Sequence, residues 1–352
     1  MTVADLAAAN LLSPVILCFA LGAVANLLRS DLKLPEPVFT ALSIYLMLAI
    51  GLKGGIQLAN RPLAELAVPL TAALALGCLI PMWSYGLLRR FAGLSVVDAA
   101  ALAAHYGSVS AVTFAAVVAL LDQQNVFYEG YMPAMLAIME VPAIIVAIGL
   151  ARIAAIAHQP LSVGQSGAAV LMRSGSPAAS PLSGILTEIL SSKSVVLLIG
   201  GMLIGAVSGA EGIAKVKPLF VDLFQGVLCL FLLELGRIAA SRVDEFRQVG
   251  LRLAAFALVM PVLHAALGIG AAHMIGMSEG GAIILGTLAA SASYIAAPAA
   301  VRLALPEANP GYYLTCSLAI TFPFNILVGL PLYAATCHPC IRSRPAAPRP
   351  GA

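Results

Sequence analysis

The chain has 352 residues, of which 61% are hydrophobic and only 10% are charged. A soluble globular domain carries roughly 25% charged residues, so this composition excludes a chain whose whole surface faces water. The formal net charge of +3 lies mostly outside the apolar stretches and does not indicate nucleic-acid binding. Apolar stretches of roughly 20 residues, long enough to cross a membrane, recur along the sequence. The composition therefore predicts an all-α polytopic membrane protein.

Ten apolar windows follow one another and predict ten transmembrane helices. They cover residues 11–28, 38–53, 64–88, 98–121, 132–156, 194–210, 220–240, 250–275, 281–303 and 312–336. Between the fifth and sixth windows, residues 157–193 are rich in Ser, Gly and Pro and predict a flexible linker. The basic tail, residues 337–352, contains Cys337 and Cys340, whose spacing fits either a disulfide or half of a metal site.

One constant shift along the chain aligns landmark residues of its two halves. The shift places Ser108 on Ser291 and Ser110 on Ser293, with the order of the matched residues kept. Because each half contains an odd number of predicted helices, the second half enters the membrane from the opposite side. We therefore expect two inverted five-helix repeats, as in many secondary transporters. The predicted repeats are residues 1–156 and 194–336.

The distribution of positive charge predicts an orientation in the membrane. Lys and Arg concentrate in and next to the first, third, fifth, seventh and ninth loops. Cytoplasmic loops carry an excess of these residues, so we expect the central linker in the cytoplasm and both termini outside. The arginines of the C-terminal tail favour the opposite orientation.

The fourth and ninth predicted helices each contain a polar interruption. It comprises Gly107, Ser108, Ser110 and Thr113 in the fourth helix and Ser291, Ser293 and Tyr294 in the ninth. Pro298 removes a backbone N–H group and Gly107 tolerates a bend, so both helices are expected to break and to cross. Helix N-termini that meet at membrane depth favour an anion, and serine hydroxyls add donors to an anion or acceptors to Na⁺. The alternative is that these small residues only allow close helix packing.

Other polar residues inside the predicted helices are candidates for a cation site. Glu140 lies well inside the fifth helix, where a carboxylate is costly and usually lines a cavity, binds a cation or carries a proton. The alternative is a structural ion pair with an Arg or Lys. In the tenth helix, Thr321 and Asn325 could lend oxygen ligands to Na⁺. Glu234 and Arg237 are spaced for an ion pair on one helix.

Six short stretches of the sequence together indicate a family. They are IGLKGG at 50–55, GSVSAVT at 107–113, MEVPA at 139–143, PVLHA at 261–265, ASASYIAAP at 290–298 and PEANPGYY at 306–313. In these stretches the chain resembles the cyanobacterial sodium-dependent bicarbonate transporter family (SbtA-like permeases), as a variant of non-cyanobacterial type.

The resemblance implies ten helices in two inverted repeats, divided into a gate part and a core part. By position, it implies a bicarbonate site with Gly107, Ser108, Ser110 and Thr113 on one side and Ser291 and Ser293 on the other. Na⁺ would be bound nearby as the coupling ion, and Thr113 is also a candidate ligand for it. It also implies an elevator-like movement of the core, a homotrimer in the bacterial inner membrane and contact with membrane lipid. Cyanobacterial members are regulated by a small PII-like protein, which the short, nearly uncharged linker 157–193 does not support.

The chain departs from the cyanobacterial pattern directly after the serines of the ninth helix. That pattern is Ser-Asp-Ile-Ser-Gly-Pro-Pro, whereas here Tyr294 stands in place of the Asp and Ala296 in place of the second Ser. The loss of a carboxylate removes a strong Na⁺ ligand and leaves both the coupling ion and the anion open. Glu140 is a candidate for the missing carboxylate, because the family has an Asp at its position.

These observations predict a secondary transporter, and not an enzyme, that imports bicarbonate or a similar small anion with Na⁺. A second hypothesis keeps the fold but assigns a small organic acid contacted by Tyr294, driven by Na⁺ or by protons through Glu140 or His105. A third hypothesis, a membrane enzyme or sensor, finds no support in a nucleophile motif, a metal-ligand constellation or a soluble signalling domain.

Overall fold

The computed structural model describes residues 10–59, 63–157, 187 and 190–341, and within these residues all regular elements are helical. The helices are α1 (Pro14–Leu27), α2 (Glu36–Ala59), α3 (Leu63–Leu87), α4 (Val96–Gly107), α5 (Ala111–Gln123), α6 (Met132–Ala157), α7 (Lys193–Ala214), α8 (Phe224–Ser241), α9 (Phe246–Met274), α10 (Glu279–Ala290), α11 (Ala296–Ala304) and α12 (Pro310–Cys337). In α12, α-helical turns alternate with π-helical turns at Thr315–Thr321 and Asn325–Gly329.

Among the described residues, eight helical segments are long and apolar enough to cross a membrane. One of them, Val96–Gln123, contains α4 and α5 together. The prediction of an all-α membrane protein is therefore confirmed, and eight of the ten predicted spans reach this length. The first predicted helix is shorter than expected because α1 begins only at Pro14, which Ser13 precedes as a cap. The ninth is divided into α10 and α11.

Two predictions fall largely outside the described residues. The central linker, 157–193, is described only at its ends, where Ser192 caps α7 with its side-chain oxygen. The C-terminal tail beyond Ile341 and the side chain of Cys340 are also outside the described part. The linker therefore stays a prediction, and the two alternatives for Cys337 and Cys340, a disulfide or half of a metal site, stay open.

Helices α1, α2, α7 and α8 form a group in which helices approach through glycines. In the pair of α2 and α7, a Cβ atom at Gly51 would lie 2.7 Å from the carbonyl oxygen of Leu198. Added Cβ atoms at Gly55 and Gly205 would overlap carbonyl oxygens of the facing helix. Glycines four residues apart are typical of close helix contact in membranes, because the backbones themselves can touch. Helices α1 and α8 form a second such pair through Gly22 and Gly236.

The remaining helices form a second group around the two interrupted helices. Helix α3 packs on α4 and α6, and α6 also packs on α4. In a similar way, α9 packs on α10 and α12, and α12 also packs on α10. Helix α5 contacts α10, and α11 contacts α4, so each half of one interrupted helix touches a half of the other. This group therefore holds the crossing point at its centre.

The glycine contact between α2 and α7 gives a test of the packing. Gly205→Ala should destabilise the protein by about 1–3 kcal/mol, because the new methyl group overlaps the Leu52 carbonyl and the helices must separate. Gly200→Ala in the same helix meets no atom within 4 Å and should stabilise it by about 0.5–1 kcal/mol through helix propensity. Thermal unfolding of the purified protein, followed by the fluorescence of its single tryptophan, Trp83, measures both. Equal shifts for the two variants would contradict this packing.

Candidate functional site

The interruption between α4 and α5 is built from Gly107 and two serines. Ser108 follows the end of α4 in an extended conformation (φ −84°, ψ 168°). Ser110 then begins α5, and its Oγ accepts a hydrogen bond from the Thr113 N–H at 3.2 Å. A Cβ atom at Gly107 would lie 2.6 Å from Pro81 and 2.8 Å from Ala143, so the absence of a side chain lets α4 end tightly between α3 and α6.

The interruption between α10 and α11 has a similar construction. Helix α10 ends at Ala290, and Ser291 follows in an extended conformation (φ −79°, ψ 159°). The Ser293 Oγ accepts a hydrogen bond from the Ala297 N–H at 3.2 Å, at the beginning of α11. Pro298 lies in the first turn of α11, where its missing N–H would have no helical partner. The interruption predicted from Ser293 and Pro298 is thus present.

The two interruptions are hydrogen-bonded to each other. The Ser110 N–H donates to the Ser291 Oγ at 2.9 Å, and that hydroxyl donates to the Leu288 carbonyl at 2.8 Å. The Ser293 N–H donates to the His105 carbonyl at 2.8 Å. Backbone groups that lose helical partners at a break must find others at membrane depth. Here each break supplies partners to the other, and the four interrupted helix ends meet in one buried place.

Several polar atoms at this crossing have no partner among the described protein atoms. The Oγ1 of Thr113, the OH of Tyr294 and the Nε2 of His105 are all buried and without a hydrogen bond. The His105 Nδ1 lies 2.6 Å from the Ala101 carbonyl, so Nδ1 carries the proton and Nε2 keeps an acceptor lone pair. Buried polar groups without partners are costly. These three atoms at the interruptions are therefore candidates for contact with a polar ligand.

Glu140 lies beside the same crossing. Its backbone carbonyl accepts a hydrogen bond from the Ser108 Oγ at 3.3 Å, and the residue is only 5% exposed. Among the described residues, no hydrogen bond or ion pair involves its carboxylate. The structural alternative considered from the sequence, a pair with Arg or Lys, is thus not observed. The carboxylate stays available for a cation or a proton.

Thr321 and Asn325 already have protein partners. The Thr321 hydroxyl donates to the Ala257 carbonyl at 2.7 Å and accepts from the Tyr106 OH at 2.6 Å. The Asn325 amide donates to the Ala290 carbonyl at 2.9 Å and accepts from the Tyr333 OH at 2.8 Å. Asn325 therefore satisfies the carbonyl at the end of α10. Thr321 instead links α4, α9 and α12.

Tyr294 lies in the break between α10 and α11 and faces the middle of α12. Its ring meets the edge of the Phe322 ring at a centroid distance of 5.1 Å. The hydroxyl is buried and near the Ser110 side chain, without a hydrogen bond of ordinary length and angle to a described residue. Tyr294, where the resemblance leads us to expect an Asp, therefore brings a neutral donor and acceptor to the crossing, without a fixed charge.

The predicted pair of Glu234 and Arg237 is confirmed, with a distance of 2.6 Å between Glu234 Oε1 and Arg237 Nη2. The other carboxylate oxygen accepts from the Leu34 N–H at 3.0 Å. This pair ties the end of α8 to the loop before α2. It belongs to the glycine-packed group and is not part of the crossing.

Two anchoring contacts were missed in the sequence. Ser95 caps α4 and donates to Asp98, whose other oxygen accepts from the Asn309 N–H at 2.8 Å. Ser278 caps α10, and the Glu129 carboxylate accepts from its N–H at 2.6 Å and from its Oγ at 2.9 Å. The spacing of Ser95 and Asp98 is a capping pattern that could have been recognised. The contacts with Asn309 and Glu129 join distant residues, so no local pattern indicates them.

Comparison with known families gives a match over most of the chain. A family model described as the Na⁺-dependent bicarbonate transporter superfamily matches residues 14–338. The match begins at the first residue of α1, ends in the last turn of the C-terminal helix and includes both interruptions. No curated protein sequence matches the chain at a significant level.

Removing the Ser291 hydroxyl tests how the interruptions support each other. Ser291→Ala leaves the Ser110 N–H without its acceptor in a buried place, which costs about 1–3 kcal/mol. We expect a lower unfolding temperature and faster amide hydrogen exchange in the peptide that contains Ser110. Ser241→Ala, at the exposed end of α8, is the control and should change neither. Unchanged exchange around Ser110 would show that the Ser291 contact does not hold the break.

Proposed function

Because the chain belongs to the Na⁺-dependent bicarbonate transporter superfamily, we propose that it imports bicarbonate or a similar small anion together with Na⁺. The observation that carries this proposal is the mutual hydrogen bonding of two interrupted helices, which brings helix ends and hydroxyls to one buried point. Helix N-termini attract anions through their free N–H groups and the helix dipole. Such a point within a membrane protein suits the midplane binding site of a secondary transporter.

The proposed anion site consists of Gly107, Ser108, Ser110, Ser291, Ser293 and Tyr294. Support comes from the N-terminus of α5, which begins at Ser110 within the crossing. The unpaired hydroxyl of Tyr294 adds a neutral donor that an anion can accept from. Gly107 contributes by its small size, because it lets the end of α4 lie close to α3 and α6.

The proposed Na⁺ site consists of Glu140, Thr113, Thr321 and Asn325. Glu140 supplies the negative charge, and its carboxylate has no ion-pair partner among the described residues. Thr113 adds a buried hydroxyl oxygen without a partner. Thr321 and Asn325 already hold hydrogen bonds, so each could offer only a remaining lone pair. We therefore regard Glu140 and Thr113 as the principal ligands.

Coupling follows from the charges of the two cargo ions. A cation next to an anion lowers the cost of holding either of them in a medium of low dielectric constant. Binding of one ion thus favours binding of the other, which is what cotransport requires. Tyr294 contributes no charge at the crossing, so in this chain the balance depends on Glu140.

We infer that ten membrane-crossing units form two inverted repeats, 1–156 and 194–336. The units would be α1, α2, α3, α4 with α5, α6, α7, α8, α9, α10 with α11, and α12. Support comes from matched contacts, since α1 packs on α8 as α7 packs on α2. The caps Ser95 and Ser278 occupy corresponding places and are each tied to a loop of the other half.

The inferred mechanism is elevator-like, with the crossing carried by a moving core. The gate would be the glycine-packed group α1, α2, α7 and α8, and the core would be the other helices. The backbone contacts within the gate support a rigid unit, because they leave no room for adjustment. The homotrimer and the inner-membrane location with outer termini and cytoplasmic linker stay predictions, and a PII-like regulator stays a possibility without support.

A second candidate function is transport of a small organic acid. The observation that favours it is the buried, unpaired Tyr294 hydroxyl at a position where the family pattern has a carboxylate. An organic acid with its own hydroxyl or second carboxylate could use this group. In this variant of the function, a proton carried by Glu140 or His105 could replace Na⁺.

Uptake by proteoliposomes decides between these cargoes. We expect uptake of radiolabelled bicarbonate to rise with an inward Na⁺ gradient and not with an equal K⁺ gradient. Ser110→Ala should lower the uptake at least about tenfold at subsaturating substrate, because a hydrogen bond to a charged ligand is lost. Ser241→Ala should transport normally. Na⁺-stimulated flux of an organic acid without flux of bicarbonate would support the second candidate and overturn the first.

Substitutions of Glu140 test which ion drives transport. Glu140→Gln removes the charge at nearly constant size and should raise the half-saturating Na⁺ concentration about tenfold. Glu140→Asp keeps the carboxylate and serves as the matched control, with much of the Na⁺ response retained. If Glu140→Gln instead abolishes a pH-dependent flux and leaves the Na⁺ response unchanged, protons and not Na⁺ act at this residue.

A further inference from the structure

A narrow crevice lies between the gate and the core, on the side of the loop that follows α5. It is lined by Ile50, Lys53 and Gln57 of α2, Phe114 of α5, Tyr128 of the loop and Phe224 of α8, among others. Of the described residues that line it, Lys53 is the one with a formal charge. The crevice therefore has mostly apolar walls and a single cationic group.

The crevice lies close to the crossing. Gln57 lies near the end of α2, and Tyr128 belongs to the loop between α5 and α6. At the inner end lies Phe114, whose N–H donates to the Ser110 carbonyl at 3.0 Å. Phe114 is thus one helical turn from the interruption between α4 and α5. The wall of the crevice at Phe114 is therefore close to the proposed anion site.

The Lys53 ammonium group is only loosely held. Its Nζ atom lies 3.9 Å from Asp122 Oδ2 and 4.8 Å from the centroid of the Phe224 ring. A charge-assisted hydrogen bond between an ammonium and a carboxylate is shorter, about 2.7–2.9 Å. The Lys53 side chain is only 26% exposed, so water does not fully hydrate its three N–H groups. The distance to Asp122 is also too long for a tight ion pair to satisfy them.

Asp122, in contrast, is held in place. The Tyr128 hydroxyl donates to Asp122 Oδ1 at 3.0 Å. Burial, together with the nearby Asp122 charge, raises the pKa of Tyr128, so this hydroxyl keeps its proton and stays a donor. Asp122 therefore has a partner whether or not Lys53 moves, and Lys53 can turn to an incoming anion.

We propose that Lys53 is an access residue that draws a small monovalent oxyanion, such as bicarbonate, into this crevice, and that Asp122 competes with the anion for its ammonium group. The proposal rests on the proposed function for the identity of the cargo. A single charge in a crevice with apolar walls concentrates anions because the field is poorly screened there. Lys53 thus acts on the capture of the anion and not on its binding at the crossing.

Transport kinetics separate capture from later steps. Lys53→Gln should raise the KM for bicarbonate about three- to tenfold and change the maximal rate by less than about twofold. Lys53→Arg keeps the charge and should keep the KM. Asp122→Asn still accepts from Tyr128 but removes the competing charge, so the KM should fall. The control is Lys217→Gln, whose exposed side chain is paired with Asp222 at 3.5 Å and does not line the crevice.

A structural role of Lys53 gives a different result. If Lys53 only bridges gate and core, Lys53→Gln and Asp122→Asn should change the KM in the same direction, and the maximal rate should fall with either. That outcome would overturn the proposal, as would equal effects of Lys53→Gln and Lys217→Gln. An increase of the KM in Lys53→Arg as large as in Lys53→Gln would also overturn it, because the charge is then not the cause.

Thiol labelling tests the crevice independently of transport. Gln57→Cys places a thiol at the crevice, and its reaction rates with an anionic and a cationic methanethiosulfonate reagent report the local potential. Subtracting the labelling of the parent protein removes the contribution of its own cysteines. Adding Lys53→Gln should lower the ratio of anionic to cationic rates about tenfold, while adding Lys217→Gln should not.

The labelling result keeps the two proposals distinguishable. If the protein shows no bicarbonate flux but the labelling ratio falls with Lys53→Gln, the proposed function fails and the crevice still attracts anions. An unchanged ratio would overturn the role of Lys53 even if Na⁺-driven bicarbonate uptake is observed.

Discussion

Backbone N–H and C=O groups inside a hydrocarbon core must find partners within the protein, and this requirement governs the centre of the structure. Two interrupted helices would each leave unpaired groups, but together they satisfy several of them. The Ser110 N–H uses the Ser291 hydroxyl, and the Ser293 N–H uses the His105 carbonyl. Neither break is sustainable at membrane depth without the other. The buried hydroxyls of Thr113 and Tyr294, which have no hydrogen bond of ordinary geometry, lie on the same two interrupted segments.

The two helix groups solve the packing problem in different ways. Helices α1, α2, α7 and α8 approach through glycines, so that backbone meets backbone and little can move within the group. The other group is organised around the crossing and is tied at the outer ends of its broken helices by Asp98 and Glu129. Each of these carboxylates accepts hydrogen bonds from the opposite half of the chain. The glycine-packed group and the group around the crossing are thus each held together by contacts of their own. This is compatible with the movement of one group against the other that we propose.

Charge inside this protein is rare, and each charged group has a separate place. Glu234 is paired with Arg237 at the end of α8, away from the crossing. Glu140 lies at the crossing without a described partner, and Lys53 lies in the crevice between the two groups with only a distant one. A paired charge stabilises a helix end, whereas an unpaired charge at membrane depth is costly and is best explained by an ion that it meets.

From the sequence alone, the membrane class, most helix positions and both interruptions could be predicted, because hydrophobic length and the Gly, Ser and Pro signals are local properties. The pair of Glu234 and Arg237 followed from helical spacing for the same reason. The tertiary structure decided which serine bonds to which break, that Thr321 and Asn325 already have partners, and that Glu140 has none among the described residues. It also placed Lys53 in a crevice that Phe114 lines as well. These facts depend on contacts between residues far apart in the chain, and no local periodicity or motif contains the distances between them.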